Sequence, residues 1–254
     1  MLCVIFCSCF CFEYIFSDIF SGRSAIYKNI ISKLVTGPLI TDDIAKKVGL
    51  TRTGTFDGYL TDLVLSGFIT RDYTWHLKTG KISKLSRYRL KDNYLRFYLK
   101  YILPNQAKIE KNQYQDVALT LFPGWETIMG LQFENLVVNN HAAIMRSLGI
   151  QPEEVLADNP FFQPPTTRQP GCQIDYLIQT RFDTLYVCEI KFSRNPIGTQ
   201  IITDMQEKIN RLKAPKHLSR RAVLIHVNGV TDDLLEMQYF SKIIDFGQLL
   251  DQNQ

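Results

Sequence analysis

Residues 172–192 read CQIDYLIQTRFDTLYVCEIKF, two apolar runs on either side of a short polar break. Gln173–Gln179 and Leu185–Phe192 are rich in β-branched and aromatic residues, and Thr180–Thr184 supplies the turn signal between them, so the stretch reads as two strands of a hairpin. A hairpin centred on Phe182 sets position 175 opposite position 189. Side chains alternate between the two faces of a strand. Asp175, Glu189 and Lys191 therefore project from one side, and Ile174, Tyr176, Ile178, Tyr186, Cys188 and Ile190 from the other, apolar side. Like charges directly opposite one another, with Cβ atoms about 4.5–5.5 Å apart, destabilise the pair unless a cation lies between them. Mg²⁺ (or Mn²⁺) suits that place, because it takes hard oxygen ligands, commonly one or two carboxylates together with water and phosphate oxygen. Asp175 and Glu189 are then the metal ligands. Lys191, on the same face, is placed to orient a water or to stabilise charge developing on a phosphate. The plainer reading of the same residues is an ion pair of Lys191 with either carboxylate on a solvated sheet face.

The elements around this hairpin suit an α/β domain over about 125–254. Glu126–Leu148 has the periodicity of a long helix, and Glu134 lies on its apolar stripe, with Gly130, Leu131, Val137 and Val138 as its neighbours at i±3 and i±4. A carboxylate there needs a partner, either the same metal site, which would make Glu134 a further catalytic residue, or a salt bridge at a domain seam. The five prolines of Pro152–Gly171 restrict that stretch to loop or edge structure. After Lys191 come a helix over about Thr199–Leu212, a strand Arg221–Val227, a short helix and a last strand near Ile243–Phe246. Gln206 on the first of these helices is a weaker candidate for orienting substrate, and His217 and His226 read as surface or core residues.

Upstream, residues 26–36 form an amphipathic helix stopped by Gly37-Pro38. Thr41 is placed to cap a short helix, Asp42–Val48, which ends before Gly49. A third helix spans about Thr53–Ser66. Phe68–Trp75 and Leu85–Leu90 read as strands around the turn Lys78-Thr79-Gly80-Lys81. Three helices and a hairpin are the winged-helix arrangement, here over 25–92, followed by a connector over 93–124. In such a unit Arg52 and Thr55, near the start of the third helix, and Lys78, Lys81 and Lys84, on the wing, are the candidate DNA-binding residues. The third helix also carries Gly54, Asp57, Gly58 and Asp62, a poor set for reading bases. The expectation is weak, sequence-tolerant duplex binding, or the use of this unit to dock an ATPase domain or another protein.

Charge supports the same division. The whole chain of 254 residues is ordinary globular material, 45% hydrophobic and 21% charged, with a net charge of +4. Residues 71–100 hold nine basic groups against two acidic ones, so the excess sits on the hairpin and its exit. Such a stretch invites phosphate contacts and salt-dependent binding. Four of the six cysteines (Cys3, Cys7, Cys9 and Cys11) crowd the first dozen residues. Their spacing is neither a disulfide framework nor a zinc site, and a reducing, cytoplasmic setting is the simpler expectation. Met1–Phe12 is apolar but shorter than the roughly 20 residues of a membrane span. Residues 1–24 are expected to lie outside the fold, and no membrane role is assigned. No Gly-x4-Gly-Lys-Ser/Thr motif is present, so the sequence gives no basis for ATPase activity.

The segments SKLSRYRLKDNYLRFYLKYI, PGWETIMGLQFENLVVNN and TTRQPGCQIDYLIQTRFDTLYVCEIKFS resemble the C-terminal half of a family of bacterial and archaeal AAA-type ATPases. In that family a P-loop ATPase domain precedes a winged helix and a PD-(D/E)XK nuclease-like domain of unassigned function. The resemblance runs from about Glu13 to the C-terminus. It implies that Asp175, Glu189 and Lys191 match the family's D…ExK positions and that Glu134 matches its upstream acidic residue. The fold class it implies is an N-terminal winged helix followed by a restriction-endonuclease-like α/β domain. With the ATPase domain missing, the chain looks like a truncated member that carries a Mg-dependent nuclease-like domain. The alternative is a non-catalytic DNA-binding or interaction module that keeps the nuclease fold as scaffold. Deleting residues 1–11 should leave the thermal midpoint unchanged and reduce oxidation-dependent aggregation, since exposed thiols cross-link readily. A fall of several degrees on deletion would show that the segment packs.

Overall fold

The structure, a computed structural model, describes residues 24–114, 117–167 and 169–251. Residues 1–23, with the N-terminal cysteines, lie outside the described residues, whereas Ser24, expected to lie outside the fold, opens the first helix. The chain divides into two compact units, one of residues up to 71 together with 87–104, the other of residues 72–86 together with 105 onward. The division passes through the upstream hairpin rather than after it.

The first unit starts with α1 (Ser24–Leu34), α2 (Thr41–Val48) and α3 (Gly54–Leu65). Its core is the apolar stripe of each helix, with Ile30, Ile31, Leu34, Ile44, Phe56, Leu60 and Leu63 all buried. Thr53 caps α3, its hydroxyl oxygen accepting from the Phe56 N–H at 3.3 Å. Thr41 does not cap α2. The N-cap is Ile40 and Thr41 is already the first helical residue, so that end is favoured instead by Asp42 and Asp43 in its first turn. β1 (Ile69–Trp75) and β2 (Ile82–Leu90) form a two-stranded sheet, and Leu39 adds one bridge to Tyr88 of β2.

The connector is helical from α4 (Asn93–Phe97) onward and includes a short α5 (Gln106–Glu110). Arg96 of α4 is fully buried. Its guanidinium donates to the carbonyls of Val35 at 2.8 Å and Leu90 at 3.1 Å, and so holds the end of α1 and the end of β2 together. Arg71 lies over the Tyr88 ring, 5.3 Å from its centroid. Part of the basic excess of residues 71–100 is therefore spent inside the fold.

The second unit is a mixed five-stranded sheet in the order β3-β4-β5-β6-β7, with helices on both faces. Its strands are β3 (Val155–Gln163), β4 (Cys172–Thr180), β5 (Thr184–Lys191), β6 (Ser219–His226) and β7 (Lys242–Asp245). β3, β4 and β5 pair antiparallel, while β5, β6 and β7 pair parallel. Proline-bearing β3 is an edge strand, as its Pro160 requires. The expected long helix is two, α6 (Trp125–Asn139) and α7 (His141–Leu148). They break at Asn140, whose side chain donates to the Leu136 carbonyl at 2.8 Å and so competes with the helical ladder. The later helices are α8 (Gln200–Arg211), α9 (Asp232–Glu236) and α10 (Phe246–Asp251). α6 and α7 cover one face through Phe133, Val137 and Ile144, against Tyr176, Ile178, Cys188 and Ile190. α8 covers the other through Met205 and neighbouring Leu212, against Leu177, Leu185 and Val187.

Trp75 and Leu77, from the tip of the upstream hairpin, belong to this second core. The Trp75 indole N–H donates to Gln179 Oε1 at 2.7 Å, the Gln179 amide returns a bond to the Leu77 carbonyl at 2.9 Å, and the Trp75 ring meets Phe161 edge-on. Trp75→Ala should cost about 3–5 kcal/mol. Gln179→Ala, which strands the indole N–H and a carbonyl, should cost about 1–3 kcal/mol. Urea unfolding followed by circular dichroism measures both, and a Trp75→Ala loss below about 1 kcal/mol would remove the hairpin tip from the core.

Candidate functional site

The β4–β5 hairpin has the register read from the sequence. Tyr176 pairs with Cys188, Leu177 with Val187, Ile178 with Tyr186 and Gln179 with Leu185, about a turn at Arg181–Asp183. Asp183 takes the left-handed conformation at φ 50°, which aspartate tolerates, and its carbonyl accepts from the Ser219 N–H to start β6 alongside. Beyond Tyr176 a side chain replaces the ladder, Asp175 Oδ2 accepting from the Ile190 N–H at 3.0 Å.

The expected grouping fails at one residue. Ile174 packs not with Tyr176 but with Leu177 and Val187, under α8. The cause lies on the neighbouring strand. Asn159 pairs with Leu177 and Phe161 with Ile174, so Pro160 alone opposes both Asp175 and Tyr176. Proline has no N–H to give, and the extra residue on β4 makes a bulge. The bulge turns Ile174 to the α8 side and leaves Asp175 aimed there too.

Asp175 and Glu189 meet on that side, keeping 10% and 6% of their side-chain surface. The cation between them is Lys208 of α8. Its ammonium donates to Glu189 Oε2 in a short contact and lies 3.5 Å from Asp175 Oδ1. Lys191, the partner expected in the plainer reading, is exposed at the end of β5 and has no ion-pair partner among the described residues. Lys208 was legible in principle, because Ile201, Met205 and Leu212 mark the buried stripe of α8 and position 208 falls on it. Gln206, the residue considered on that helix, is exposed.

Burial, then the neighbouring Asp175 charge, push the Glu189 carboxyl up to about 7, although Lys208 pulls the other way. Burial also works against the Lys208 ammonium, but Asp175 and Glu189 outweigh it and hold its pKa above the ordinary lysine value. The site is therefore a shared charge balance between two acids and one base.

Glu134 is half-buried on α6, whose Phe133 and Val137 pack on the opposite face of the sheet. His226, beside Lys191 in the β6 register, is buried in the sheet, and burial lowers its pKa. Both thiols among the described cysteines, Cys172 and Cys188, are buried and shifted upward by burial, so neither suits nucleophilic work. The candidate DNA-binding residues fall in different units. Arg52 and Thr55 stand exposed in the first, with Arg52 held by Asp42 at 3.0 Å and Asp57 at 3.7 Å. Lys78, Lys81 and Lys84 stand exposed on the part of the hairpin that belongs to the second.

Among the described residues no three His, Cys, Asp or Glu side chains stand close enough to hold a metal ion by themselves. Two carboxylates are nonetheless the usual protein share of a Mg²⁺ shell, and the Lys208 ammonium marks a point on which both converge. The donor set fits the ion in kind. No helix among the described residues is long and apolar enough to cross a membrane. In comparisons with known proteins, no family model and no curated protein matches this chain.

With its carboxyl raised from 4.5 to about 7, Glu189 binds its proton more tightly in the folded chain than in the unfolded one. Its contribution to stability is full below that window and is lost as the pH rises through it. Glu189→Gln should therefore flatten the pH dependence of urea-unfolding stability between about pH 5 and about pH 7 by on the order of 2 kcal/mol, at roughly 1.4 kcal/mol per pH unit. An unchanged slope would mean that Glu189 ionises normally.

Proposed function

We propose that the second unit is a PD-(D/E)XK nuclease-like domain acting on phosphodiesters with Mg²⁺ or Mn²⁺, and that the first unit is a winged helix. Together they would form the nuclease-bearing part of the AAA-type ATPase family that the sequence resembles. The observation that carries the reading is the convergence of Asp175 and Glu189 on one cationic point, with Lys191 exposed on the next same-face position of β5. The order of three helices, a bridge at Leu39 and a hairpin supports the winged-helix part.

Asp175 and Glu189 would hold the ion. Bound there, it would polarise a phosphate and favour hydroxide over water. Lys191 supplies positive charge for the phosphate. Lys208 holds the two acids together when no other cation does. Glu134 stays a candidate for a supporting role from α6. Weak, sequence-tolerant DNA contact is assigned to Lys78, Lys81 and Lys84. α3 contributes little to it, since Arg52 is tied to Asp42 and Asp57 and the helix adds no other basic residue.

One observation favours a second reading. Lys208 already pairs with both carboxylates, as it would in a scaffold that has lost its chemistry and serves only for binding. Metal titration followed by thermal unfolding separates the two. In the nuclease reading, millimolar Mg²⁺ or Mn²⁺ stabilises the wild type by about 2.7 kcal/mol at a hundredfold excess over Kd. Asp175→Ala removes that gain, whereas Lys191→Ala keeps it but abolishes plasmid nicking. Lys208→Met should lose about 3–5 kcal/mol without metal, because it leaves two buried acids without a counter-charge, and should regain much of it with Mg²⁺. No metal shift in either the wild type or Lys208→Met, with no nicking of any DNA form, leaves the scaffold.

A further inference from the structure

β7 ends the five-stranded sheet, and its outer edge pairs with no other strand among the described residues. A groove of about 510 Å³ runs along that edge, lined by Arg146 and Ser147 of α7, by β7 from Lys242 to Asp245, and by Gln248 of α10. Arg146 and Lys242 are exposed, and neither has an ion-pair partner among the described residues. The one carboxylate of the lining, Asp245, has Oδ1 engaged by the Gly247 N–H at 2.9 Å.

We propose that this groove docks an extended peptide carrying acidic side chains, which adds to the sheet beside β7. A free strand edge offers a row of N–H and C=O groups that another extended backbone is shaped to satisfy. The sign of the flanking side chains selects among such backbones. A second copy pairing through the same edge would bring Lys242 and Arg146 against their own kind, whereas a carboxylate-bearing strand meets opposite charge. The size agrees as well, because a groove of this volume accepts a few side chains rather than a folded surface. None of the residues proposed for phosphodiester chemistry takes part, so the two proposals stand or fall separately.

Fluorescence anisotropy on the full chain tests this with a fluorescein-labelled Val-Glu-Val-Glu-Val-Thr peptide. Its comparators are Val-Lys-Val-Lys-Val-Thr and an N-methylated glutamate peptide that cannot pair through its backbone. The glutamate peptide should bind at least about tenfold more tightly than the lysine peptide, and N-methylation should weaken it by about tenfold or more. Combining Arg146→Glu with Lys242→Glu should invert the preference. Both positions are exposed, so the double variant should keep the wild-type thermal midpoint. If it does not fold, Lys242→Gln alone should weaken the glutamate peptide about threefold or more. Asp175→Ala should bind that peptide as the wild type does. Equal affinity for the two peptides, undiminished binding by the charge variants, or loss of binding in Asp175→Ala each overturns the proposal.

Discussion

Two acids from adjacent strands meet under one helix, and the ammonium of Lys208 is what lets them do so. Burying a charge is costly unless it is paired, and here two negative charges share one positive one in a place nearly closed to water. Lys208 can reach them because α8 is already seated through Met205 and neighbouring Leu212 on the sheet. The apolar packing and the ion contacts thus fix each other's geometry. Burial first, and then the neighbouring Asp175 charge, raise the Glu189 carboxyl against the pull of Lys208. One ammonium does not fully offset two carboxylates at that depth, and any cation able to replace or supplement Lys208 would act on an existing imbalance.

The register of this site was written in the sequence because a tight hairpin leaves little freedom. Once the turn is placed at residue 182, alternation settles which side chains are neighbours. What alternation within the hairpin cannot contain is the influence of a third strand. Pro160 lies outside the hairpin of residues 172–192, and the bulge it imposes sets Ile174 on the α8 side of the sheet. Lys208 was missed for another reason. A lysine on a helix is assigned to solvent by default, and only the buried stripe of α8 marks it as an exception. Charge counting erred in the same direction, since a tally along the chain does not distinguish Lys78, which is exposed, from Arg96, which bonds backbone carbonyls in the interior. The broken helix at Asn140 shows the limit of periodicity, which sees apolar spacing but not a side-chain amide that competes for a carbonyl.

The two readings of function rest on the same atoms, and the difference between them is energetic rather than geometric. A scaffold needs Lys208 to outbid every other cation permanently. A metal site needs it to yield at some accessible ion concentration. Lys191 is informative here because it makes no ion pair among the described residues, although its charge does act on Glu189. It stands exposed at the end of a central strand while its neighbour in register, His226, is buried.

The upstream hairpin starts and ends in one unit and has its tip in the other, with Trp75 hydrogen-bonded to a residue 104 positions further along the chain. Contacts of such long sequence separation slow folding, because a large loop must close before they form. During synthesis the tip emerges well before β4 and α8 exist, and it must remain outside any finished core until they do. The first unit can assemble its three helices at once, but the apolar surface of Trp75 and Leu77 stays exposed for the time needed to make roughly a hundred more residues, several seconds or more at about 5–20 residues per second. The placement of Trp75 and Leu77 thus sets a minimum time for which apolar surface of the hairpin tip stays uncovered during synthesis.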